Sequence, residues 1–281
     1  MANWVLITSE DLPTLPHVAT KVLQVVNNPE TTPRDLQRVI EADQALTERL
    51  LRMANSAMFA GTQSVVNLHQ AITRLGFNRV RTMVLVASTK DVCHSPSPTA
   101  LELWRHSLGV AVGCRLVGQA AGFGRDALDD LVLAGLFHDV GKVLMNHQRP
   151  DKYQEIIQVA VEQRRPTSEL EKEVFRFTHE EVGALILKKW KLPENLIEPV
   201  RHHHAIQNED FACESYLRET AAVATADLIA NMLGIGLLTS VSIDPVGARS
   251  TRVLGITEEQ VLPILEELPD LFLKESEALG A

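Results

Sequence analysis

The amino-acid sequence predicts an all-α fold, and three features of its pattern support that fold class. Apolar residues recur at helical spacing along nearly the whole chain, as in Val18, Val22, Val25 and Val26, which stand at i, i+4, i+7 and i+8. Sequence signals for helix starts are frequent. No segment alternates apolar and polar residues on both sides of a tight turn, as a β-hairpin would. We therefore expect about a dozen helices and no sheet.

Three helix starts are marked by a threonine that stands beside a proline or shortly before acidic residues. Both arrangements are typical of a first helical turn, where a hydroxyl can accept a backbone N–H and proline needs no hydrogen bond. The three signals are Thr32 before Pro33, Thr99 after Pro98, and Thr167 before Glu169 and Glu171.

The bulk composition is that of a globular protein with a sizeable core. Hydrophobic residues make up 45% and charged residues 22% of the 281 residues. The net charge is −9 with dispersed lysines and arginines, so no nucleic-acid partner is expected.

Three cysteines without paired spacing favour a reducing compartment. The longest uncharged apolar stretch, between Asp227 and Asp244, is shorter than a membrane span, and no leader pattern is present. These features predict a cytoplasmic protein without a membrane segment.

A serine- and proline-rich cluster at 94–98 is the best internal boundary in the chain. Before it lies a helical part at 10–93, and after it a second helical part at 97–235 that carries most of the histidines. A more acidic helical tail covers 240–281. The sequence therefore predicts three consecutive helical units.

The pair His138-Asp139 is the central candidate for a metal site. It follows the apolar run 131–137 and precedes Gly141, so we expect a helix to end here with Gly141 as its C-terminal cap. An imidazole nitrogen and a carboxylate oxygen can converge on one ion at such a helix end. Taken alone, such a dipeptide is more often a surface cap than a ligand pair.

Two further histidines lie on the apolar faces of predicted helices. His106 shares a face with Val110, and Glu102 stands one turn earlier, so that both side chains could meet one ion. His179 shares a face with Val182, near the start of its helix. Either histidine could instead be a hydrogen-bonded core residue, and Glu102 could be a solvated surface residue.

Asp227 and a run of three histidines complete the candidate set. Asp227 lies on the inward face of a predicted helix at 220–234, where a carboxylate is costly unless a cation or donors compensate it. A basic partner residue would serve equally well. Of His202, His203 and His204, two could face inward at a helix end, although a solvated turn is the alternative.

These residues together suggest a site for one or two divalent metal ions. Imidazole and carboxylate ligands suit Zn, Fe, Mn or Ni, and the set contains no cysteine, which argues against a structural zinc–thiolate site. More than four ligands could hold two ions bridged by Asp139. The candidate metal ligands are Glu102, His106, His138, Asp139, His179, His203, His204 and Asp227.

The order of these residues resembles the HD superfamily of metal-dependent phosphohydrolases. His106, His138-Asp139 and a late Asp227 follow the superfamily pattern, and His179 with His203-His204 resembles the HD-GYP subset, which hydrolyses cyclic dinucleotides. Glu102 matches a further carboxylate ligand of its three-metal members. The N-terminal part is similar to the HDOD domain, the HD-related output domain of bacterial signalling proteins. The motifs that carry this similarity are LPTLP at 12–16, ADQALT at 42–47, LLRMANSA at 50–57 and AITRLG at 71–76.

The resemblance implies a multi-helix HD-like bundle with an N-terminal helical HDOD subdomain. One departure from the HD-GYP pattern concerns the residues after His203-His204. An acidic residue and a Gly-Tyr-Pro loop are expected there, but the chain continues with Ala-Ile-Gln-Asn at 205–208. Hydrolysis of cyclic di-GMP therefore does not follow from the resemblance.

Two functions follow from the resemblance. The first is a signalling output domain that binds a protein partner or a nucleotide-like small ligand. The second is an active phosphohydrolase with catalytic Asp139 and Lys142, in which Lys142 would offer its charge to phosphate oxygens. In the phosphohydrolase, His106, His138, Asp139 and Asp227 would hold a first metal, and His179, His203 and His204 a second, with Asp139 bridging. In the output domain, the metal would be structural, redox-sensitive or vestigial.

Overall fold

Every regular element in the described part of the chain is helical, which confirms the all-α prediction. The computed structural model describes residues 12–26, 28–56, 58–59, 64–92, 97–212, 215–236 and 243–279. These ranges contain fifteen α-helices and one short 3-10 helix. The helices are α1 His17–Val26, α2 Pro33–Glu41, α3 Gln44–Ala54, α4 Leu68–Leu75, α5 Phe77–Val92, α6 Pro98–Ala120, α7 Arg125–Phe137, α8 Val140–Gln148, α9 Pro150–Gln163, α10 Thr167–Phe175, α11 His179–Lys189, α12 Glu194–His202, the 3-10 helix Ala205–Gln207, α13 Leu217–Met232, α14 Arg249–Leu254 and α15 Glu258–Leu279.

Two of the three predicted helix starts are confirmed. Thr32 caps α2 by accepting the backbone N–H of Asp35, whose side chain accepts the N–H of Thr32 in return. Helix α10 begins at Thr167, although no side chain caps it. The start at Thr99 was wrong by two residues, because Ser97 accepts the backbone N–H of Ala100 and caps α6 instead.

Helix α6 lies at the centre of the fold and is buried along most of its length. It packs against α7, α13 and α15. Helix α11 packs against α8 and α12, and α12 in turn contacts α7 and α13. This arrangement brings α6, α13, the start of α11, the end of α12 and the junction between α7 and α8 to one place in the interior.

The N-terminal helices share a hydrophobic core with the rest of the chain. Helix α5 packs against α7, and α15 returns to pack against α3 as well as α6. One contiguous set of buried apolar side chains runs from Leu12 to Leu279. The division into units at 10–93, 97–235 and 240–281 stays a prediction, and residues 93–96 of its boundary lie outside the described ranges. None of the described helices is long and apolar enough to span a membrane.

A buried ion pair joins α5 to α7. Arg79 Nε lies 3.2 Å from each carboxylate oxygen of Asp129, and both side chains are less than a tenth exposed. Arg115 of α6 lies 3.9 Å from the same carboxylate. Burial raises the pKa of Asp129 in spite of these cations, so the ionised carboxylate depends on them to stay charged.

We expect Asp129→Ala to lower the free energy of unfolding by about 3–5 kcal/mol, because Arg79 would remain buried without its partner. Urea unfolding followed by circular dichroism measures this change. As a control, Glu155→Ala removes one member of the exposed pair with Lys152 and should cost less than about 1 kcal/mol. Equal costs for the two variants would contradict a structural role for the buried pair.

Gly141 does not cap the end of a helix, and the expectation that it would was wrong. Helix α7 ends at Phe137, and Gly141 lies in the first turn of α8. A Cβ atom at this position would lie 2.9 Å from Cα of His179 and closer still to its carbonyl oxygen. Glycine is required because the backbones of α8 and α11 touch here with no side chain between them.

Gly141→Ala should therefore destabilise the protein by about 1–3 kcal/mol or more, since the crowded neighbour is backbone and cannot change rotamer. The midpoint of thermal unfolding checks the change. Gly247→Ala is the matched control, because no atom lies within 4 Å of a Cβ placed there and its backbone is not left-handed. A Gly141→Ala midpoint as high as that of the control would disprove the close approach of the two helices.

Candidate metal centre

His138 and Asp139 form the junction between α7 and α8. Every residue of α7 from Leu131 to Phe137 is buried, so this junction lies deep in the core. His138 is 0% and Asp139 1% exposed. The ring nitrogen Nδ1 of His138 lies 2.7 Å from the carbonyl oxygen of Gly135 and donates to it, which leaves Nε2 unprotonated when the ring is neutral.

Helices α6 and α13 supply His106 and Asp227 to the same place. His106 Nε2 lies 3.0 Å from Asp227 Oδ1, and its Nδ1 lies 3.0 Å from the carbonyl oxygen of Ile235. Burial disfavours the charged ring, but the hydrogen bond and charge of Asp227 outweigh it, so the pKa of His106 is raised. Asn231 donates to the same Asp227 oxygen at 2.8 Å. The alternative of an arginine or lysine partner for Asp227 does not hold among the described residues. Beyond His106 and Asn231, Asp227 has among these residues only His138 at 3.8 Å and His204 at 3.9 Å within ion-pair distance.

Three more histidines approach from the other side. His179 is the first residue of α11, and His203 and His204 follow the last residue of α12. The ring centroid of His179 lies 5.5 Å from that of His203 and 5.1 Å from that of His204. His203 Nδ1 lies 2.8 Å from the carbonyl oxygen of Val200, so that Nε2 faces the interior. The remaining histidine of the run, His202, points away and pairs with Glu198 at 3.3 Å.

Asp139 lies between the two groups of histidines. Its Oδ2 is 3.3 Å from His138 Nε2, and its Oδ1 is 3.3 Å from His179 Nε2 and 3.8 Å from His203 Nε2. Lys142, one turn into α8, places Nζ 2.8 Å from Oδ2. Burial alone would raise the pKa of Asp139, but the charges of His138 and Lys142 hold it well below its usual value.

Several buried atoms of this cluster have no hydrogen-bond partner within the described residues. They are Nε2 of His138, His179 and His203 and Oδ1 of Asp139, while Oδ2 of Asp139 has the ammonium group of Lys142 at 2.8 Å. Unpaired buried polar atoms are rare in folded proteins, and here all of them carry lone pairs that face one another. A bound cation satisfies such atoms, so the cluster is suited to a divalent metal ion.

Three groups of three residues have ligand atoms close enough to hold an ion. They are His106, His138 and Asp139; His179, His203 and His204; and Glu171, His179 and Glu180. Within each group, the ligand atoms lie within 4.8 Å of one another. Of the eight residues proposed from the sequence, seven meet at this cluster. Glu102 does not join them: it is half-buried on α6, and no described contact links its carboxylate to the cluster.

A cavity of about 450 Å³ adjoins the cluster, and residues of α10 form part of its wall. His203, His204, Asp227 and Lys142 line the cavity. Ser168 and Lys172 of α10 line another part of the wall. The cavity is large enough for a small organic ligand, which could reach the cluster directly.

Two acidic residues near His179 were not identified as site residues from the sequence. Glu171 of α10 is fully buried, with Oε2 2.7 Å from His179 Nδ1. Glu180 lines the cavity, and its Oε2 lies 3.5 Å from the same nitrogen. The sequence carries no local signal for Glu171, which stands among exposed acids, because its burial depends on contacts between helices.

Comparison with known proteins places the chain in a sequence family. The model of the HDOD domain matches residues 12–206. An uncharacterised protein of Treponema pallidum is 27% identical over 225 residues, which is 80% of this chain and 43% of that protein. The uncharacterised protein YuxH of Bacillus subtilis is 24% identical over 170 residues, 41% of its length. The chain thus spans about two fifths of the length of the curated relatives that it matches.

Solved structures agree with the helical architecture. An HDOD domain protein of unknown function from Geobacter sulfurreducens superposes with a TM-score of 0.79 at 24% identity, over 95% of this chain and 93% of that one. A candidate phosphohydrolase from Shewanella amazonensis gives 0.74 at 23% identity, with 96% of both chains covered. A candidate signal transduction protein from Marinobacter aquaeolei gives 0.76 at 19% identity, over 99% of this chain and 63% of that one. The similarity in structure supports the fold, and the family match, which covers more than half of the chain, shows that the protein belongs to the HDOD domain family.

Proposed function

We propose that this chain is a signalling output domain of the HDOD family whose interior holds one or two divalent metal ions. The observation that carries this proposal is the set of unpaired lone pairs on His138, Asp139, His179 and His203, all buried and facing one another. Filling such a cluster with metal removes the cost of burying unpaired polar groups. A cluster that no longer bound metal would be expected to lose these buried polar groups, because burying them unpaired costs free energy.

The residues suggest two adjacent metal positions. His106, His138, Asp139 and Asp227 would hold one ion, and His179, His203 and His204 the other, with Asp139 next to both. Mixed nitrogen and oxygen ligands without cysteine suit Fe, Mn, Zn or Ni. Glu102 would require movement of α6 or of its own side chain to contribute, and we leave it out of the proposed set.

The route from the metal centre to a protein partner would run along α7. This helix ends at His138 and Asp139, and near its other end Asp129 is bound to Arg79 of α5. Because α7 is buried along this length, a displacement at its C-terminal end is transmitted to α5 rather than absorbed. The partner would be a signalling protein, and a nucleotide-like ligand could enter the cavity beside the centre. The net charge of −9 argues against a nucleic-acid partner.

Hydrolysis of a phosphoester is the second candidate function, and the position of Lys142 favours it. Lys142 lines the cavity next to the proposed metal ligands. A bound divalent ion would supply Lewis-acid polarisation of a phosphoryl oxygen. However, Lys142 lies 2.8 Å from Asp139, so its ammonium group already compensates a carboxylate and would have to leave that pair to hold a phosphate.

Purified wild-type protein should contain at least one equivalent of a divalent transition metal when measured by plasma mass spectrometry. Asp139→Asn should weaken metal binding by at least about tenfold, because it removes the charge that both positions share. His202→Gln is the matched control, since His202 belongs to the same histidine run but faces Glu198. Full metal content in Asp139→Asn, or wild-type protein that cannot be loaded with metal, would disprove the metal centre.

The metal-loaded protein should not hydrolyse phosphoesters if the output role is correct. The test is a panel of bis(p-nitrophenyl) phosphate, mononucleotides and cyclic nucleotides, with wild-type protein and Asp139→Ala compared at equal concentration. We expect equal background rates for both. Turnover by wild-type protein that Asp139→Ala abolishes would establish the phosphohydrolase function instead.

A further inference from the structure

Glu171 is a fully buried carboxylate that accepts three hydrogen bonds from two residues. Tyr153 of α9 donates its hydroxyl to Oε1 at 2.7 Å. The backbone N–H of His179 donates to Oε2 at 2.8 Å, and Nδ1 of the same residue lies 2.7 Å from that oxygen. Both Glu171 and Tyr153 are 0% exposed. The carboxylate therefore ties the start of α11 to α9 and α10 at one point.

This contact determines which ring nitrogen of His179 is available for a ligand. Oε2 already accepts a backbone N–H, so it serves as an acceptor and Nδ1 must be the donor. In the neutral ring, Nε2 then carries a lone pair and no proton. Nε2 is buried, has no hydrogen-bond partner among the described residues, and lies 3.3 Å from Asp139 Oδ1.

Three other histidines of the cluster direct Nδ1 to neutral groups. His106, His138 and His203 place Nδ1 within 3.0 Å of backbone carbonyl oxygens of Ile235, Gly135 and Val200. A carboxylate is a stronger acceptor than a carbonyl and makes the opposite ring nitrogen a better metal ligand. Glu180 cannot orient the ring of His179 in this way, because its Oε2 lies 3.5 Å from Nδ1 and makes no hydrogen bond.

We propose that Glu171 is a positioning residue that, held in place by Tyr153, fixes the tautomer and ring orientation of His179 as a metal ligand. This inference rests on the proposed metal centre. The chain Tyr153–Glu171–His179 crosses three consecutive helices and ends at the ion position formed by His179, His203 and His204. Removing the charge of Glu171 weakens metal binding at this position more than at the position formed by His106, His138 and Asp139.

The test uses the full chain, stripped of metal and titrated with Co²⁺, whose visible absorption reports the ligands around the ion. Glu171→Gln keeps the volume and one acceptor oxygen, removes the charge, and replaces the second acceptor oxygen with an amide NH2 group. This variant should bind Co²⁺ about 10- to 100-fold more weakly at the position formed by His179, His203 and His204. The absorption spectrum of the Co²⁺ bound there should also shift. Tyr153→Phe should change both measurements in the same direction by a smaller amount.

Glu173→Gln is the matched control, because it makes the same substitution on the exposed side of α10. It should bind Co²⁺ with the affinity and spectrum of the wild type. Because Glu171 also ties three helices together, its variant should unfold at a lower temperature than this control when free of metal. Loss of Co²⁺ affinity at one position with the other position retained therefore separates weaker metal binding from general destabilisation.

Three results would overturn the proposal, and they distinguish failure of the positioning role from failure of the metal centre. Wild-type affinity and spectrum in Glu171→Gln would show that the carboxylate has no positioning role even though the metal centre exists. If Glu171→Gln does not fold, the same wild-type behaviour in Tyr153→Phe decides against the proposal. Wild-type protein that binds no Co²⁺ would refute the metal centre itself, and the role of Glu171 would fall with it.

Discussion

The ionised carboxylate of Asp139 is the constraint around which the interior is arranged. It is 1% exposed and lies 2.8 to 3.9 Å from nitrogens of His106, His138, Lys142, His179 and His203. A carboxylate buried in this way is stable only if positive charge or donors surround it. The ends of α11 and α12 and the faces of α6 and α8 must therefore meet at this residue. Their packing around α7 follows from that requirement.

The sequence alone allowed the fold class and most of the cluster to be predicted. The helical period is visible in single segments, and capping signals such as Thr32 and Pro33 act locally, so both can be recognised without tertiary information. Histidine and aspartate on apolar faces, such as His106 and Asp227, stand out because burial of polar groups is costly. The motif resemblance then connected residues that lie far apart in the chain.

The features that were missed depend on contacts between helices. Gly141 has the sequence context of a helix cap, and only the approach of α11 shows that it serves close packing instead. Glu171 lies in a segment rich in exposed acids, so its sequence context does not distinguish it from Glu169 or Glu173. Its burial results from Tyr153 and the start of α11, which are 18 and 8 positions away. Glu102 shows the opposite case, in which correct spacing on a helix does not bring a side chain to the site.

The long sequence separation between the residues of the cluster has a consequence for biosynthesis. His106 and Asp227 are in hydrogen-bond contact, yet 121 positions separate them. During translation the chain emerges from its N-terminus, so His138 and Asp139 are exposed to the cell before α13 has been made. The complete cluster exists only after that helix docks against α6, because closing so long a loop comes late in folding. The cluster that we propose as a metal centre is therefore assembled only after α13 has been synthesised, and a metal ion cannot meet all of its proposed ligands before then.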